Sequence, residues 1–117
     1  MHTTSPSQSR LHSDIHRLLS TLMQRDVSDP RLADIHITRV EPAAGGQKLI
    51  VWVHGYQTEA ESDCVDRLNR LASHFMYELH HAMGRRHLPR LSFQWDKAVD
   101  KGGAVLDILN KLESHHA

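Results

Sequence analysis

The sequence lacks the features that mark several large classes of protein. It has one cysteine, two each of Trp, Tyr and Phe, and no apolar run longer than the strand-sized stretch around Leu49–Val53. Because a lone Cys64 cannot form an intrachain disulfide, a disulfide-stapled secreted domain is excluded and a reducing compartment is favoured. The absence of a membrane-length apolar run and of an apolar signal region near the N-terminus predicts a cytoplasmic protein.

The sequence also lacks an excess of positive or negative charge. The 14 Lys and Arg residues balance 14 Asp and Glu residues, so the net charge gives no sign of a nucleic-acid or membrane partner. The distribution is more informative, because between residues 67 and 101 seven basic residues face only three acidic ones. Eleven histidines can add positive charge in mildly acidic conditions.

No motif of a known catalytic or cofactor site is present. No glycine-rich loop leads directly from a strand into a helix, and the paired glycines at 45–46 and 102–103 lack the context of a phosphate-binding loop. No G-x-S-x-G elbow occurs. Cys64 lies on an apolar helix stripe and is expected to be a buried structural thiol. His12 and His16 share a helix face, but no third ligand follows at a diagnostic spacing. We therefore predict no catalysis, no cofactor, no small-molecule substrate and no metal site.

Hydrophobic periodicity predicts a mixed α/β (α+β) chain in the order helix, strand, strand, long helix, strand. The first helix is predicted to run from Ser9 to about Arg25–Val27, the strands over residues 33–41, 48–56 and 91–95, and a short helix to follow Gly102–Gly103. The long helix is expected to start at a capping box of Thr58 and Glu61 and to end at Gly84. Its buried stripe comprises Val65, Leu68, Ala72, Phe75, Leu79 and Met83. The first two strands are predicted to pair antiparallel, with the helices on one face of a three-stranded sheet.

A polar line runs beside the buried stripe of the long helix and provides the best candidate site. Basic side chains recur along it at near-helical spacing and continue past Gly84, which favours contacts to the phosphates of a nucleic acid. The predicted RNA-binding residues are Arg67, Arg70, Ser73, His74, Arg85, Arg86 and Arg90. Tyr77 and Trp52 are the aromatic side chains available for base stacking. The alternative is an ordinary solvated helix face.

Short motifs at matching spacing give the chain a family resemblance. They are Arg25–Asp26 with Asp29–Pro30–Arg31–Leu32, then residues 35–41 (IHITRVE), 48–51 (KLIV), 68–70 (LNR) and 88–93 (LPRLSF), followed by Asp96, Gly103 and Ile108–Leu109. In this set, which spans most of the chain, the sequence resembles the ribosome-binding factor A family of bacterial small-subunit assembly factors.

The resemblance implies a single KH-type-II-like domain over residues 9–112. The small polar residues 1–8 predict a disordered N-terminus, and the polar residues 113–117 a flexible tail. The resemblance also implies a non-enzymatic protein that binds 16S rRNA in the immature 30S subunit and assists late maturation and rRNA processing, notably in the cold. Nothing in the sequence demands more than a monomer. The family carries an Ala-x-Gly kink between two helices. Here Ala72, Ser73 and His74 stand at that place, so histidine replaces the glycine.

Two other functions remain open. A KH-like protein-interaction module that has lost RNA binding would fit the zero net charge. A histidine-based metal-binding protein would fit the histidine content.

Overall fold

The elements follow one another in the predicted order, with the long helix divided in two by a break, which gives α-β-β-α-α-β. The computed structural model describes residues 6–56 and 59–100. The elements are α1 (Pro6–Asp26), β1 (Ile35–Ala43), β2 (Lys48–Gly55), α2 (Glu61–Arg70), α3 (Ala72–Met83) and β3 (Arg90–Trp95), with short 3-10 turns at Pro30–Leu32 and Ala44–Gly46. This is the order of the KH-type-II arrangement, so the predicted fold class is confirmed.

The three strands form one mixed sheet with β2 in the centre. β1 pairs with β2 antiparallel, as predicted, and a bulge interrupts the register between Ile37 and Arg39. β3 pairs with β2 in parallel, with Lys48 opposite Arg90 and Val53 opposite Trp95. A parallel pair needs a long crossover connection, and α2 and α3 provide it.

One face of the sheet carries the core. Leu49, Val51 and Val53 alternate along β2 and are fully buried, while the side chains between them are only partly covered. The predicted apolar stripes of the helices pack on this face. From α1, Ile15 and Leu19 are fully buried there. From the crossover helices, Leu68, Phe75 and Leu79 join them. The helices therefore lie on one face, as predicted.

Several element boundaries differ from the predictions: β1 begins at Ile35 rather than at residue 33, β2 ends at Gly55 rather than at residue 56, and β3 begins at Arg90 rather than at residue 91. α1 begins at Pro6, so residues 6–8, predicted to be disordered, belong to its first turn. Proline is well accommodated there, because the first helical N–H groups have no partner within the helix. β1 continues to Ala43, past the predicted end at Glu41. Pro42 can stand in this strand because β1 is an edge strand of the sheet.

The predicted capping box at Thr58 is wrong. α2 begins at Glu61, its N-cap is Ala60, and no side chain caps it. Instead, the acidic residues Glu61 and Asp63 in the first turn stabilise the helix by their interaction with the positive end of its dipole.

The long helix is broken, but one residue earlier than the predicted kink. The break is at Leu71, with φ −88° and ψ −2°, and its N–H donates to the carbonyl of Leu68 in 3-10 fashion. Ala72, Ser73 and His74 instead form the first turn of α3. Leu71 can be the junction because its backbone angles lie in the bridge region, which does not require glycine.

The end of α3 is as predicted. Gly84 takes the left-handed conformation, with φ 63°, and its N–H donates to the carbonyl of His80 at 2.9 Å. The C-terminal glycine cap satisfies a carbonyl that the helix leaves free.

Asn69 attaches α2 to the outer side of β3. Its side-chain amide donates to the carbonyl of Phe93 at 3.1 Å, and its side-chain oxygen accepts from the N–H of Phe93 at 2.8 Å. Both backbone groups of Phe93 are therefore satisfied on the side away from β2.

Some predictions fall outside the described residues. These are the C-terminal helix after Gly103, the tail 113–117, residues 1–5, and Thr58 itself. Within residues 6–56 and 59–100, no helix is both long and apolar enough to cross a membrane.

Candidate nucleic-acid interface

Three of the predicted RNA-binding residues follow the end of α3. The left-handed Gly84 turns the chain out of the helix, and Arg85 and Arg86 then project at exposed positions. The ring Nδ1 of His80 donates to the carbonyl of Arg85 at 2.7 Å, which fixes the turn. Arg90 is exposed at the start of β3.

Two further basic residues, which sequence reasoning missed, adjoin these arginines. Arg10 from the first half of α1 lines a concavity of about 410 Å³ together with Arg85. Lys48, the first residue of β2, is the register partner of Arg90. Only the fold places Arg10 beside Arg85, and only the strand register places Lys48 beside Arg90, so no local sequence signal marks them. We call Arg10, Lys48, Arg85, Arg86 and Arg90 the basic cluster.

The charges of the basic cluster have no ion-pair partner in the part of the chain that the structure describes. Across residues 6–56 and 59–100, no carboxylate lies within ion-pair distance of any of its five members. Asp14 lines the same concavity as Arg10, but it pairs with Arg17, at 3.6 Å. Exposed and unpaired guanidinium groups can donate to phosphate oxygens without first breaking a contact.

Arg67, by contrast, is already engaged. Its Nε and Nη2 donate to the two carboxylate oxygens of Glu59 at 2.9 and 3.1 Å, and Asp29 lies 3.8 Å away. Arg31 pairs with the same two carboxylates, and the pKa of Glu59 is lowered, chiefly by its hydrogen bond with Arg67. Arg67 thus ties α2 to the turn after α1, and it remains a predicted RNA ligand only if it leaves this network.

His74 also has an internal partner. Its Nε2 lies 2.7 Å from Oδ2 of Asp26, the last residue of α1. Arg25 donates to Asp26 as well and reaches Glu78 at 3.2 Å. Hydrogen bonds from Arg25 and then His74 hold the pKa of Asp26 well below its ordinary value. Ligand atoms of Asp26, His74 and Glu78 lie within 4.8 Å of one another. The predicted pair His12 and His16 gathers no such third ligand among the described residues.

The predicted site is therefore split between the two ends of α3. Arg70 and Ser73 are exposed beside the break, and Arg70 lines a concavity of about 270 Å³ with Arg67 and Asp26. Arg85 and Arg86 follow the other end. α3 has 12 residues, so about 18 Å of helix separates the two groups. Near the first end of α3, Arg67 and His74 already have carboxylate partners. After the other end, Arg85 and Arg86 have none among the described residues, so they can bind a phosphate more readily.

The two candidate stacking residues are not equally available. Tyr77 is exposed, and its ring stacks on His81 with a centroid distance of 6.0 Å. Trp52 lies on the open face of the sheet, where the guanidinium of Arg39 covers its ring at 4.6 Å. Its indole N–H donates to Glu41 at 3.0 Å. A base that stacked on Trp52 would first have to displace Arg39.

Cys64 behaves as the sequence predicts. It is fully buried in the core, and burial raises the pKa of its thiol. A thiol held in the protonated form is a poor nucleophile.

Comparison with known proteins places this geometry in a family. The family model described as ribosome-binding factor A matches residues 7–109. A ribosome-binding factor A from Xanthomonas euvesicatoria is 29% identical over 104 residues, which cover 89% of this chain and 80% of the relative. The crystal structure of ribosome-binding factor A from Thermus thermophilus superposes with a TM-score of 0.65 at 26% identity, over 74% of this chain and 92% of that chain. A homology model of the Thermus thermophilus protein fitted into a cryo-electron microscopy map of its complex with the 30S subunit gives 0.63 at 27% identity, over 75% and 93%.

Proposed function

We propose, because the chain belongs to the ribosome-binding factor A family, that this protein binds 16S rRNA within the immature 30S subunit and assists its late maturation. It acts as a monomeric cytoplasmic assembly factor without catalysis. The observation that carries the proposal is the family match over residues 7–109, joined to a structural relative that was fitted into a 30S complex.

The basic cluster is the part of the fold best suited to the RNA. Its five side chains are exposed or half-buried and carry charges that no carboxylate of the described residues neutralises. Contacts to phosphates supply affinity and position, while base contacts supply sequence preference. Since none of the five side chains of the basic cluster is aromatic, we expect recognition of backbone shape at this site rather than of a base sequence.

Two observations favour a second function. The formal charge is zero, and Arg67 and His74 at the other end of α3 are paired internally. A KH-like module that binds a protein rather than RNA would fit these facts. Salt separates the two, because phosphate contacts release counterions and weaken steeply as salt rises.

Co-sedimentation with ribosomal particles on sucrose gradients, at low and high salt, tests the proposal. We expect the tagged protein to migrate with free 30S subunits at low salt and to leave them as salt rises. Association that does not change with salt would favour the protein-binding module. A protein that stays at the top of the gradient at every salt concentration would contradict both.

The double substitution Arg85→Ala/Arg86→Ala tests the site. We expect weaker 30S binding and a shallower salt dependence, by about 0.7 in the log–log slope for each lost contact to a single strand. The melting temperature should hardly change, because neither side chain has an ion-pair partner among the described residues. The matched control for the two single variants, Arg85→Ala and Arg86→Ala, is Lys97→Ala, which removes one charge from an exposed position that has no described ion-pair partner. Equal losses in these single variants and in Lys97→Ala would remove the assignment to the basic cluster.

A further inference from the structure

Three potential metal ligands meet where α1 ends and α3 begins. Asp26 is the last residue of α1, while His74 and Glu78 lie four residues apart on α3. Residues at i and i+4 lie on the same helix face, so the imidazole and the carboxylate point toward the same partner helix. One ligand atom from each of the three residues lies within 4.8 Å of the others.

A cation already lies between the two carboxylates. Nη2 of Arg25 is 2.9 Å from Oδ2 of Asp26 and 3.2 Å from Oε2 of Glu78. The same Oδ2 of Asp26 lies 2.7 Å from Nε2 of His74. Nη2 therefore contacts both carboxylate oxygens that an ion would use, and one of these oxygens also contacts the imidazole.

We propose that Asp26, His74 and Glu78 form a binding site for a divalent transition-metal ion of the Zn²⁺ class, with Arg25 as the competing internal cation. The proposal is independent of RNA binding. It also differs from the sequence-based expectation of no metal site.

The donor set favours this class of ion over the hard cations. One imidazole nitrogen with two carboxylate oxygens suits Zn²⁺ or Co²⁺, whereas Mg²⁺ prefers oxygen ligands and keeps most of its water. The two carboxylates together neutralise the 2+ charge of the metal ion. Three protein ligands leave at least one coordination position for water or an external group.

Arg25 can leave without disturbing the core. Its side chain is 57% exposed and lies in the last turn of α1. Its Nε can keep its contact with Oδ1 of Asp26 while Nη2 withdraws, which leaves Oδ2 to the ion. A ligand carboxylate held by a neighbouring donor in this way is typical of metal sites.

Titration of the purified, metal-free protein with Co²⁺ and Zn²⁺ tests the site. Binding is followed by the visible absorption of Co²⁺ and by calorimetry for Zn²⁺, with Mg²⁺ as the comparison ion. We expect one saturable site for Co²⁺ and Zn²⁺ and none for Mg²⁺. His74→Ala and Glu78→Gln should each weaken binding at least about tenfold, since each removes one of three ligands.

The variant Arg25→Gln is expected to change metal affinity in the opposite direction. Removal of the competing guanidinium should tighten metal binding, whereas a purely structural network predicts no metal site in any variant. The matched control is His81→Ala, which removes an exposed histidine from the same helix and should bind like the parent protein. It also accounts for non-specific binding by the other histidines.

Three results would overturn the proposal. One is equal metal affinity of His74→Ala and His81→Ala, which would assign binding to the scattered histidines. Another is a failure of Arg25→Gln to bind more tightly than the parent. The third is binding of Mg²⁺ at the same affinity. Circular dichroism of each variant shows that it is folded before its affinity is compared.

Discussion

At the scale of single residues, Gly55 is the most constrained position in the sheet. Its φ is +149°, and a Cβ built there would lie 2.1 Å from the carbonyl oxygen of Asp34. The cause is the register, because the last residue of β2 lies opposite Ile35, the first residue of β1. Only glycine lets the two backbones approach this closely.

We therefore expect Gly55→Ala to destabilise the fold by about 2–5 kcal/mol, the sum of an unfavourable backbone conformation and an overpacked contact. Thermal and urea unfolding measure the loss. Gly45→Ala is the control, because Gly45 also has positive φ, +66°, but has open space around its Cβ position. It should lose only about 1–2 kcal/mol. Equal losses would show that the contact with Asp34 contributes nothing.

The site residues show what sequence reasoning could not reach at this scale. Helical spacing correctly places Arg67, Arg70 and His74 in the polar regions of α2 and α3. It cannot show that His74 meets a carboxylate 48 positions earlier, or that Arg67 turns back to one 8 positions earlier. Whether a basic residue is free for RNA depends on these tertiary partners, and only the packing of the folded chain reveals them.

At the scale of elements, the spacing of the hydrophobic residues along the sequence determines most of the fold. The alternation in β2 and the three-and-four spacing of the helix stripes predict the element types, their order and their buried faces, all of which the structure confirms. The ends of the elements were harder to predict, because tertiary contacts also influence where a helix begins. Thr58 and Glu61 have the spacing of a capping box, yet Glu59, one of the two residues between them, forms ion pairs with two arginines, and α2 starts only at Glu61. The helix break also precedes the predicted kink, since Leu71 itself adopts the bridge conformation.

The anchoring of α2 leads to a prediction about Arg67. We expect Arg67→Ala to lower the melting temperature, because Glu59 and Asp29 lose a shared partner that joins α2 to the turn after α1. Arg70→Ala, three residues further on, should leave the melting temperature nearly unchanged, since no described carboxylate pairs with Arg70. Differential scanning calorimetry of the two variants makes the comparison. Identical melting temperatures would mean that the network contributes nothing measurable.

At the scale of the whole molecule, zero net charge conceals an uneven distribution. One end of α3 lies beside a network in which arginines and carboxylates satisfy each other, while the basic cluster adjoins its other end without ion-pair partners among the described residues. A global charge count averages over the two ends and misses this difference. The capacity to bind phosphate is a local property of one end.

The carboxylates of the molecule also determine its response to acid. The pKa values of several are lowered in the folded state by hydrogen bonds, chiefly from Arg25 to Asp26, Arg31 to Asp29, Arg67 to Glu59 and Thr38 to Asp96. A lowered pKa means that the folded state favours the ionised form. This contribution to stability is complete above the ordinary carboxyl pKa of about 4 and is lost as the pH falls through the lowered values.

We accordingly expect the free energy of unfolding to fall only slightly from pH 7 to pH 5, because burial lowers the pKa of His12, and to fall progressively below about pH 4. Urea unfolding at a series of pH values measures it. Asp96→Asn removes the one carboxylate that is buried among the described residues, at 3% exposure, and should make the acid dependence shallower. Stability that stays level down to about pH 2 would contradict the prediction.

The hydrogen bonds of Asn69 have a consequence for assembly. An exposed sheet edge is a template on which another chain can add a strand, the first step toward aggregation. By occupying both backbone groups of Phe93, Asn69 imitates a short piece of a fourth strand and closes the β3 edge at its middle. On the opposite edge, β1 carries a bulge and Pro42, both of which discourage regular pairing. Among the residues that the structure describes, the sheet is thereby protected against intermolecular growth at both edges without a fourth strand.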